Sequence, residues 1–91
     1  MRFLVHMVVN VPHDMPKAEW EALVATEKAY AQELQRSGHW AELWRVVGQY
    51  ANYSIFDVSG NDELHELLAK LPLFAHMTIT VTPLAEHPSR I

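Results

Sequence analysis

The sequence predicts an α+β domain in which two helices cover one face of a four-stranded antiparallel sheet. Three observations lead to this fold class. Apolar residues alternate at period two near both ends and in the middle of the chain, they recur at helical spacing in two intervening segments, and turn residues separate these stretches. The chain has 91 residues, which is enough for a single domain spanning 1–91.

A first strand is predicted over residues 3–11, where one side carries Phe3, Val5, Met7, Val9 and Val11. The opposite side of this strand is also too apolar for open water, which indicates a sheet covered on both faces. A long helix follows over about 15–37. Asp14 is its expected N-cap, Pro16 occupies its first turn, and Gly38 ends it.

Two segments rich in aromatic and β-branched residues, 40–47 and 50–58, are separated only by Gly48 and Gln49 and predict a hairpin. After the hairpin, Ser59 and Asp62 have the spacing of a capping box for a short helix over about 60–70, which Pro72 terminates.

A last strand is predicted over 77–82, where apolar residues alternate with threonines. The order is therefore β-α-β-β-α-β, which is the ferredoxin-like arrangement with both helices on one face of the antiparallel sheet. Since the other face also needs cover, we expect a second subunit to pack there.

Composition excludes several classes of function. The net charge is −4 and the basic residues are scattered, so neither nucleic acid nor an anionic membrane surface is an expected partner. Without cysteine there is no disulfide, thiolate nucleophile or cysteine metal site, which favours a reducing, cytoplasmic location. No apolar run approaches the ~20 residues of a membrane span.

One acidic residue is out of place on the long helix. Glu27 lies in the middle of an apolar stripe formed by Trp20, Leu23, Val24, Ala31 and Leu34. A carboxylate turned toward the core loses hydration, which raises its pKa and makes it a better proton acceptor unless a cation pairs with it. Two interpretations remain open at this point, a general base or an ion-pair partner at a subunit contact.

Polar residues also interrupt the hairpin. Arg45 lies between apolar neighbours, where a guanidinium requires a carboxylate from the protein or from a ligand. Tyr50 and Asn52 fall on one face with Ser54, a pattern found both in small-molecule pockets and at interfaces. Lys28 follows Glu27 and either flanks the same pocket or is a solvated helix lysine.

The six histidines predict no metal site, because they are far apart and form no i,i+4 pair on a helix. His39 differs from the others in lying where the long helix meets the aromatic hairpin. No phosphate-binding glycine loop and no nucleophile elbow is present. The remaining function classes are cofactor-free proton chemistry and simple binding.

The chain resembles the muconolactone Δ-isomerase family from its first strand to about residues 87–89. The resemblance is carried by long and uncommon strings, namely Glu27-Lys28, Leu43-Trp44-Arg45, the stretch from Gly48 to Ser54, Phe56-Asp57-Val58 and Leu71-Pro72-Leu73-Phe74. It implies ferredoxin-like subunits paired across their sheets in a dimeric α/β-barrel arrangement, assembled into a homodecamer. It also implies that neither a metal nor an organic cofactor is used.

The implied reaction belongs to catechol breakdown through the β-ketoadipate pathway and moves a double bond in a five-membered lactone. Muconolactone becomes 3-oxoadipate enol-lactone by a 1,3 proton shift, which requires one base and donors for the charge on the lactone carbonyl. Glu27 is the expected base and Lys28 a second catalytic residue. The substrate carboxylate requires a cation, for which Arg45 is preferred over Lys28, and Lys28 alternatively faces the developing oxyanion. Substrate contacts are assigned to Arg45, Tyr50, Asn52, His39 and Trp44, with Trp40 and Trp44 as an apolar boundary.

Two alternative hypotheses accompany the isomerase. A chloromuconolactone dehalogenase shares the scaffold and the initial proton abstraction, and then expels chloride instead of returning the proton. A non-catalytic dimeric α/β module that binds a small molecule would use the inward carboxylate only as an interface partner. The activity of a Glu27→Gln variant distinguishes the catalytic readings from the binding module.

Overall fold

The computed structural model describes the whole chain, Met1–Ile91. Its elements follow the predicted order, with a short 3-10 turn at Phe74–His76 before the last strand. They are β1 (Arg2–Val9), α1 (Lys17–Arg36), β2 (Trp40–Arg45), β3 (Ala51–Asp57), α2 (Asn61–Ala69) and β4 (Met77–Leu84).

The four strands form one antiparallel sheet in the order β2-β3-β1-β4. This order places β1 and β3 in the centre and leaves β2 and β4 at the edges. Phe3, Val5 and Met7 of β1 are buried on the side that the helices cover. The predicted ferredoxin-like arrangement is thereby confirmed.

Both helices pack on the same face of the sheet. Ala31 and Leu34 of α1 and Leu64 and Leu68 of α2 belong to one buried cluster with the apolar side chains of the central strands. The Tyr30 hydroxyl adds a direct link, because it donates to the Leu67 carbonyl oxygen at 3.0 Å and so ties α1 to α2.

The element ends differ in detail from the predictions. The N-cap position of α1 is Pro16 and not Asp14, and no side chain caps it. At the start of α2, the Ser59 N–H donates to the Glu63 carboxylate at 2.9 Å, so the predicted pairing of Ser59 with Asp62 is wrong by one residue. Gly38 has φ of +85°, a conformation that favours glycine and explains why the chain leaves α1 there.

The strand ends are set by their partners. β1 ends at Val9, which pairs with Met77, and Val11 lies beyond the ladder and is exposed, contrary to the predicted strand over 3–11. The hairpin is also shorter than predicted, because residues 46–50 form its loop and the Val46 N–H donates to the Ala51 carbonyl oxygen at 3.0 Å.

A bulge in β2 changes the side of the sheet that Trp40 faces relative to the rest of the strand. Trp40 is opposite Phe56 and Leu43 is opposite Ser54, so three steps on β2 match two steps on β3. As a result Trp40, Leu43 and Arg45 share the helix-facing side. Without the bulge, Trp40 would lie on the opposite side from the other two.

The second face of the sheet is not covered by any element of the chain. Leu4, His6 and Val8 lie there half-buried, and the His6 ring stacks on Tyr53 with centroids 4.4 Å apart. Trp44 pairs with Tyr53 and is 55% exposed on the same face. None of the helices combines the length and the apolar character that crossing a membrane requires.

Candidate active site

A cavity of about 560 Å³ lies between α1 and the helix-facing side of the sheet. Most of its lining is apolar, with side chains from β1, α1, β2 and the segment before β4. Its polar lining residues are Glu27, Lys28, Gln32, Gln35, Arg45, Tyr50 and Asn52. An apolar cavity with a few convergent polar groups is the usual form of a small-molecule site.

Glu27 is half-buried in the wall of this cavity and has no cation partner. None of the three ion pairs of the protein includes it. Its only hydrogen bond in the structure comes from the Leu73 N–H, which donates to Oε1 at 3.3 Å. Burial raises the pKa of Glu27, and the Leu73 hydrogen bond opposes that rise in part. The side chain is therefore a dehydrated carboxylate suited to accept a proton.

The Leu73 donor is held by a tight turn between α2 and β4. The Phe74 N–H donates to the Leu71 carbonyl oxygen at 2.9 Å, and the His76 N–H donates to the Leu73 carbonyl oxygen at 2.8 Å. Leu71 and Leu73 are both buried, which fixes the turn against the core. Core packing thus sets the position of the single donor that contacts the Glu27 carboxylate.

Two cationic side chains line the same cavity without a carboxylate partner. Lys28 follows Glu27 on α1, and Arg45 reaches the cavity from the end of β2. Neither takes part in an ion pair. The Arg45 guanidinium carbon lies 5.4 Å from the centre of the Tyr50 ring, in the range of a cation-π contact. These cations remain free for an anionic ligand group.

Asn52 and Tyr50 complete the polar wall from the hairpin. Asn52 pairs with Arg45 across the β2–β3 ladder, so their side chains are neighbours on the helix-facing side. Its Oδ1 accepts a hydrogen bond from the Ser54 hydroxyl at 2.7 Å. Tyr50 lies in the loop just before β3 and lines the mouth of the cavity, 41% exposed.

Two of the predicted contact residues lie elsewhere. Trp44 alternates with Leu43 and Arg45 along β2 and therefore lies on the uncovered face, away from the cavity. The bulge places Trp40 on the same side as Leu43 and Arg45, so of the two predicted boundary residues only Trp40 lines the cavity. His39 does not line the cavity either. It lies in the connection after α1, where its Nδ1 is 2.6 Å from the Ser37 hydroxyl oxygen. The buried Trp40 indole N–H has no partner.

Three contributors of polar groups to the cavity were not predicted from the sequence. Gln32 and Gln35 line it, and Leu73 supplies its backbone N–H to Glu27. The glutamines follow Lys28 at i+4 and i+7, so a polar stripe beside the apolar one was a signal for them. Nothing local in the sequence indicates a backbone donor, because any residue carries one.

No three side chains from His, Asp or Glu come close enough together to hold a metal ion. The polar groups that meet in the cavity are a proton acceptor, two cations and several neutral hydrogen-bonding groups. Such a set is able to bind an anionic organic molecule and to move a proton within it.

Comparison with known proteins shows which family the chain belongs to. A family model described as muconolactone delta-isomerase matches residues 1–90. The muconolactone Δ-isomerase of Cupriavidus pinatubonensis is 64% identical over 91 residues, which cover 100% of this chain and 99% of the relative. Muconolactone Δ-isomerase 1 of Acinetobacter lwoffii is 58% identical, with coverage of 100% and 95%.

A solved structure gives the same answer at the level of the fold. The crystal structure of muconolactone isomerase at 3.3 Å resolution matches with a TM-score of 0.95 and 52% sequence identity, covering 100% of this chain and 95% of that chain. The strings between Glu27 and Phe74 that suggested the resemblance are thus part of a similarity over the full length. The chain belongs to the muconolactone Δ-isomerase family.

Proposed function

We propose that this protein converts muconolactone into 3-oxoadipate enol-lactone by a 1,3 proton shift with Glu27 as the base. The observation that carries the proposal is an unpaired, half-buried carboxylate in a cavity that also holds two unpaired cations. The substrate named by the relatives has the complementary groups, an acidic ring proton and a carboxylate arm.

The proton shift requires one base that reaches two ring carbons. Glu27 takes the proton from the ring carbon that carries the carboxymethyl arm and returns a proton to the carbon beside the lactone carbonyl. Because burial raises the pKa of Glu27, its protonated form is a useful acid for the second transfer. Use of the same carboxyl group for both transfers places them on one face of the ring.

Arg45 binds the substrate carboxylate in this proposal. Its planar guanidinium can form two parallel hydrogen bonds with a carboxylate, whereas the Lys28 ammonium is a single point charge. Lys28 adds positive potential near the base and near the charge that develops on the lactone carbonyl. A bound anionic arm also orients the ring, because the arm and the ring proton share one carbon.

The proposal is tested by supplying the purified protein with muconolactone and with its 5-chloro analogue while following enol-lactone and chloride. Formation of enol-lactone from muconolactone supports the isomerase. Chloride release from the analogue, with no conversion of muconolactone, would identify a dehalogenase.

Glu27→Gln should fold and assemble, and should lose about 10²–10⁴-fold in turnover because the general base is gone. Glu33→Gln, which changes an exposed carboxylate of the same helix, is the matched control. Near-normal turnover by an assembled Glu27→Gln protein contradicts the assignment.

The pH dependence follows from the direction of the Glu27 pKa shift. Since only the carboxylate accepts a proton, kcat/KM should fall on acidification with a midpoint above the ordinary pKa of 4.5.

The same pKa shift makes stability depend on pH, because the native state binds a proton at Glu27 more tightly than the unfolded chain does. Relative to Glu27→Gln, the wild-type free energy of unfolding should therefore decrease as pH rises from 4.5 through the raised pKa. Denaturant titrations across this range measure the difference, and an opposite slope would contradict a desolvated Glu27.

Arg45→Ala should raise KM for muconolactone about 10- to 100-fold, as expected when a hydrogen-bonded charge pair is lost. If the arm is bound equally in the ground state and the transition state, kcat changes little. Steady-state kinetics measure both parameters. Arg36→Ala, in the last turn of α1 and outside the cavity, is the control. Loss of assembly in Arg45→Ala with normal kinetics in the remaining oligomer would assign Arg45 to structure instead.

We further propose that the uncovered face of the sheet binds a second copy of this chain, within a larger homo-oligomer. The support is the patch of His6, Tyr53 and Trp44 with half-buried Leu4 and Val8 around it. Trp44 and Tyr53 are exposed there, and exposed aromatic side chains on an uncovered sheet face are typical of subunit contacts.

Tyr53→Asp should shift the protein toward a smaller species in sedimentation velocity, because a charge would be buried at that contact. Val47→Asp is the control, since Val47 is also apolar but lies 95% exposed in the hairpin loop. An unchanged sedimentation coefficient for Tyr53→Asp would show that this face is not a subunit contact.

A further inference from the structure

Ser54 is the only polar residue buried in the protein, with no exposed surface. It lies in the middle of β3, and its neighbours in the ladders are Val5 of β1 and Leu43 of β2. A buried hydroxyl among apolar side chains destabilises a fold unless it is hydrogen-bonded. A serine at this position therefore needs a reason that packing does not supply.

The hydrogen bond of Ser54 determines the orientation of the Asn52 amide. The Ser54 hydroxyl donates to Asn52 Oδ1 at 2.7 Å, and this is its one side-chain hydrogen bond. If the amide were reversed, its NH₂ group would face the hydroxyl and the hydroxyl hydrogen would have no acceptor. Because that hydroxyl is completely buried, water cannot replace the lost partner.

The amide NH₂ of Asn52 is left without a partner from the protein. Asn52 lines the cavity and is only partly buried, so its two N–H donors are available to a ligand. Arg45 lies beside it across the ladder, and Glu27 contributes to the same cavity from α1. One wall of the cavity therefore combines a fixed neutral donor with a cation, facing a base.

We propose that Ser54 is a positioning residue that holds the Asn52 amide with its N–H donors toward the lactone carbonyl oxygen of the substrate. The inference rests on the proposed function and assigns the group that stabilises its intermediate. When Glu27 takes the ring proton, the electron pair of the broken C–H bond enters the ring π system. Negative charge then reaches the carbonyl oxygen, and return of a proton to the carbon beside that carbonyl completes the shift.

Orientation decides whether Asn52 helps or hinders this step. An N–H donor stabilises the developing oxyanion, whereas the amide oxygen in the same place would repel it. In a largely apolar cavity both effects are stronger than in water. A free amide could adopt either orientation, so a buried hydroxyl that permits only one increases the fraction of productive enzyme.

A double-mutant cycle tests the inference. Asn52→Ala should lower kcat about 10²-fold, as removal of an oxyanion donor does. Ser54→Ala should lower kcat by about 3- to 10-fold with little change in KM, the scale of one neutral hydrogen bond. In the Asn52→Ala background, Ser54→Ala should have no further effect, because Ser54 acts through Asn52. Thr26→Ala, which removes an exposed helix hydroxyl bonded to the Ala22 carbonyl, is the control. Equal effects of Ser54→Ala in both backgrounds, or none in either, would overturn the inference.

A second readout needs no turnover. The probe is the saturated analogue of muconolactone, which keeps the lactone carbonyl and the carboxymethyl arm but has no ring double bond to move. Its addition should shift the NMR signals of the Asn52 side-chain amide protons in the wild type, and shift them less in Ser54→Ala. Unshifted signals at saturating analogue would overturn the donor role. A shift in a wild-type protein that leaves muconolactone unchanged would instead overturn the proposed function and retain the oriented donor.

Discussion

The central constraint in this protein is that a carboxylate is withdrawn from water without being given a cation. Glu27 shares a cavity with Lys28 and Arg45 but is ion-paired with neither, and its one hydrogen bond comes from a neutral backbone N–H at 3.3 Å. An ion pair would lower the pKa of Glu27 and weaken it as a base. Desolvation with a single neutral donor has the opposite effect, and raises its pKa.

The fold places Glu27 and Arg45 on different elements, with Lys28 beside Glu27 on the helix. The base is on α1, the guanidinium is at the end of the edge strand β2, and the neutral amide of Asn52 is on the central strand β3. The donor to Glu27 comes from the turn that follows α2. The cavity thus lies directly between α1 and the sheet.

Much of this arrangement was predictable because it depends on periodicity. The apolar stripe of α1 places Glu27 toward the sheet, and the alternation in β3 places Asn52 and Ser54 on one side. The ends of elements were less predictable. Pro16 occupies the N-cap position in place of Asp14 without any capping side chain, and Glu63 replaces Asp62 as the partner of Ser59, since helix ends vary by one or two residues around a sequence pattern.

By itself the sequence determined the order of elements, the family and an acidic residue on an apolar helix face, since each depends on local pattern or on long strings of residues. Tertiary structure alone decided three features. The bulge in β2 placed Trp40 in the cavity lining, the turn after α2 brought the Leu73 N–H to Glu27, and core packing left the Ser54 hydroxyl a single acceptor. Each depends on pairing or packing between segments far apart in the chain, and local periodicity carries no information about either.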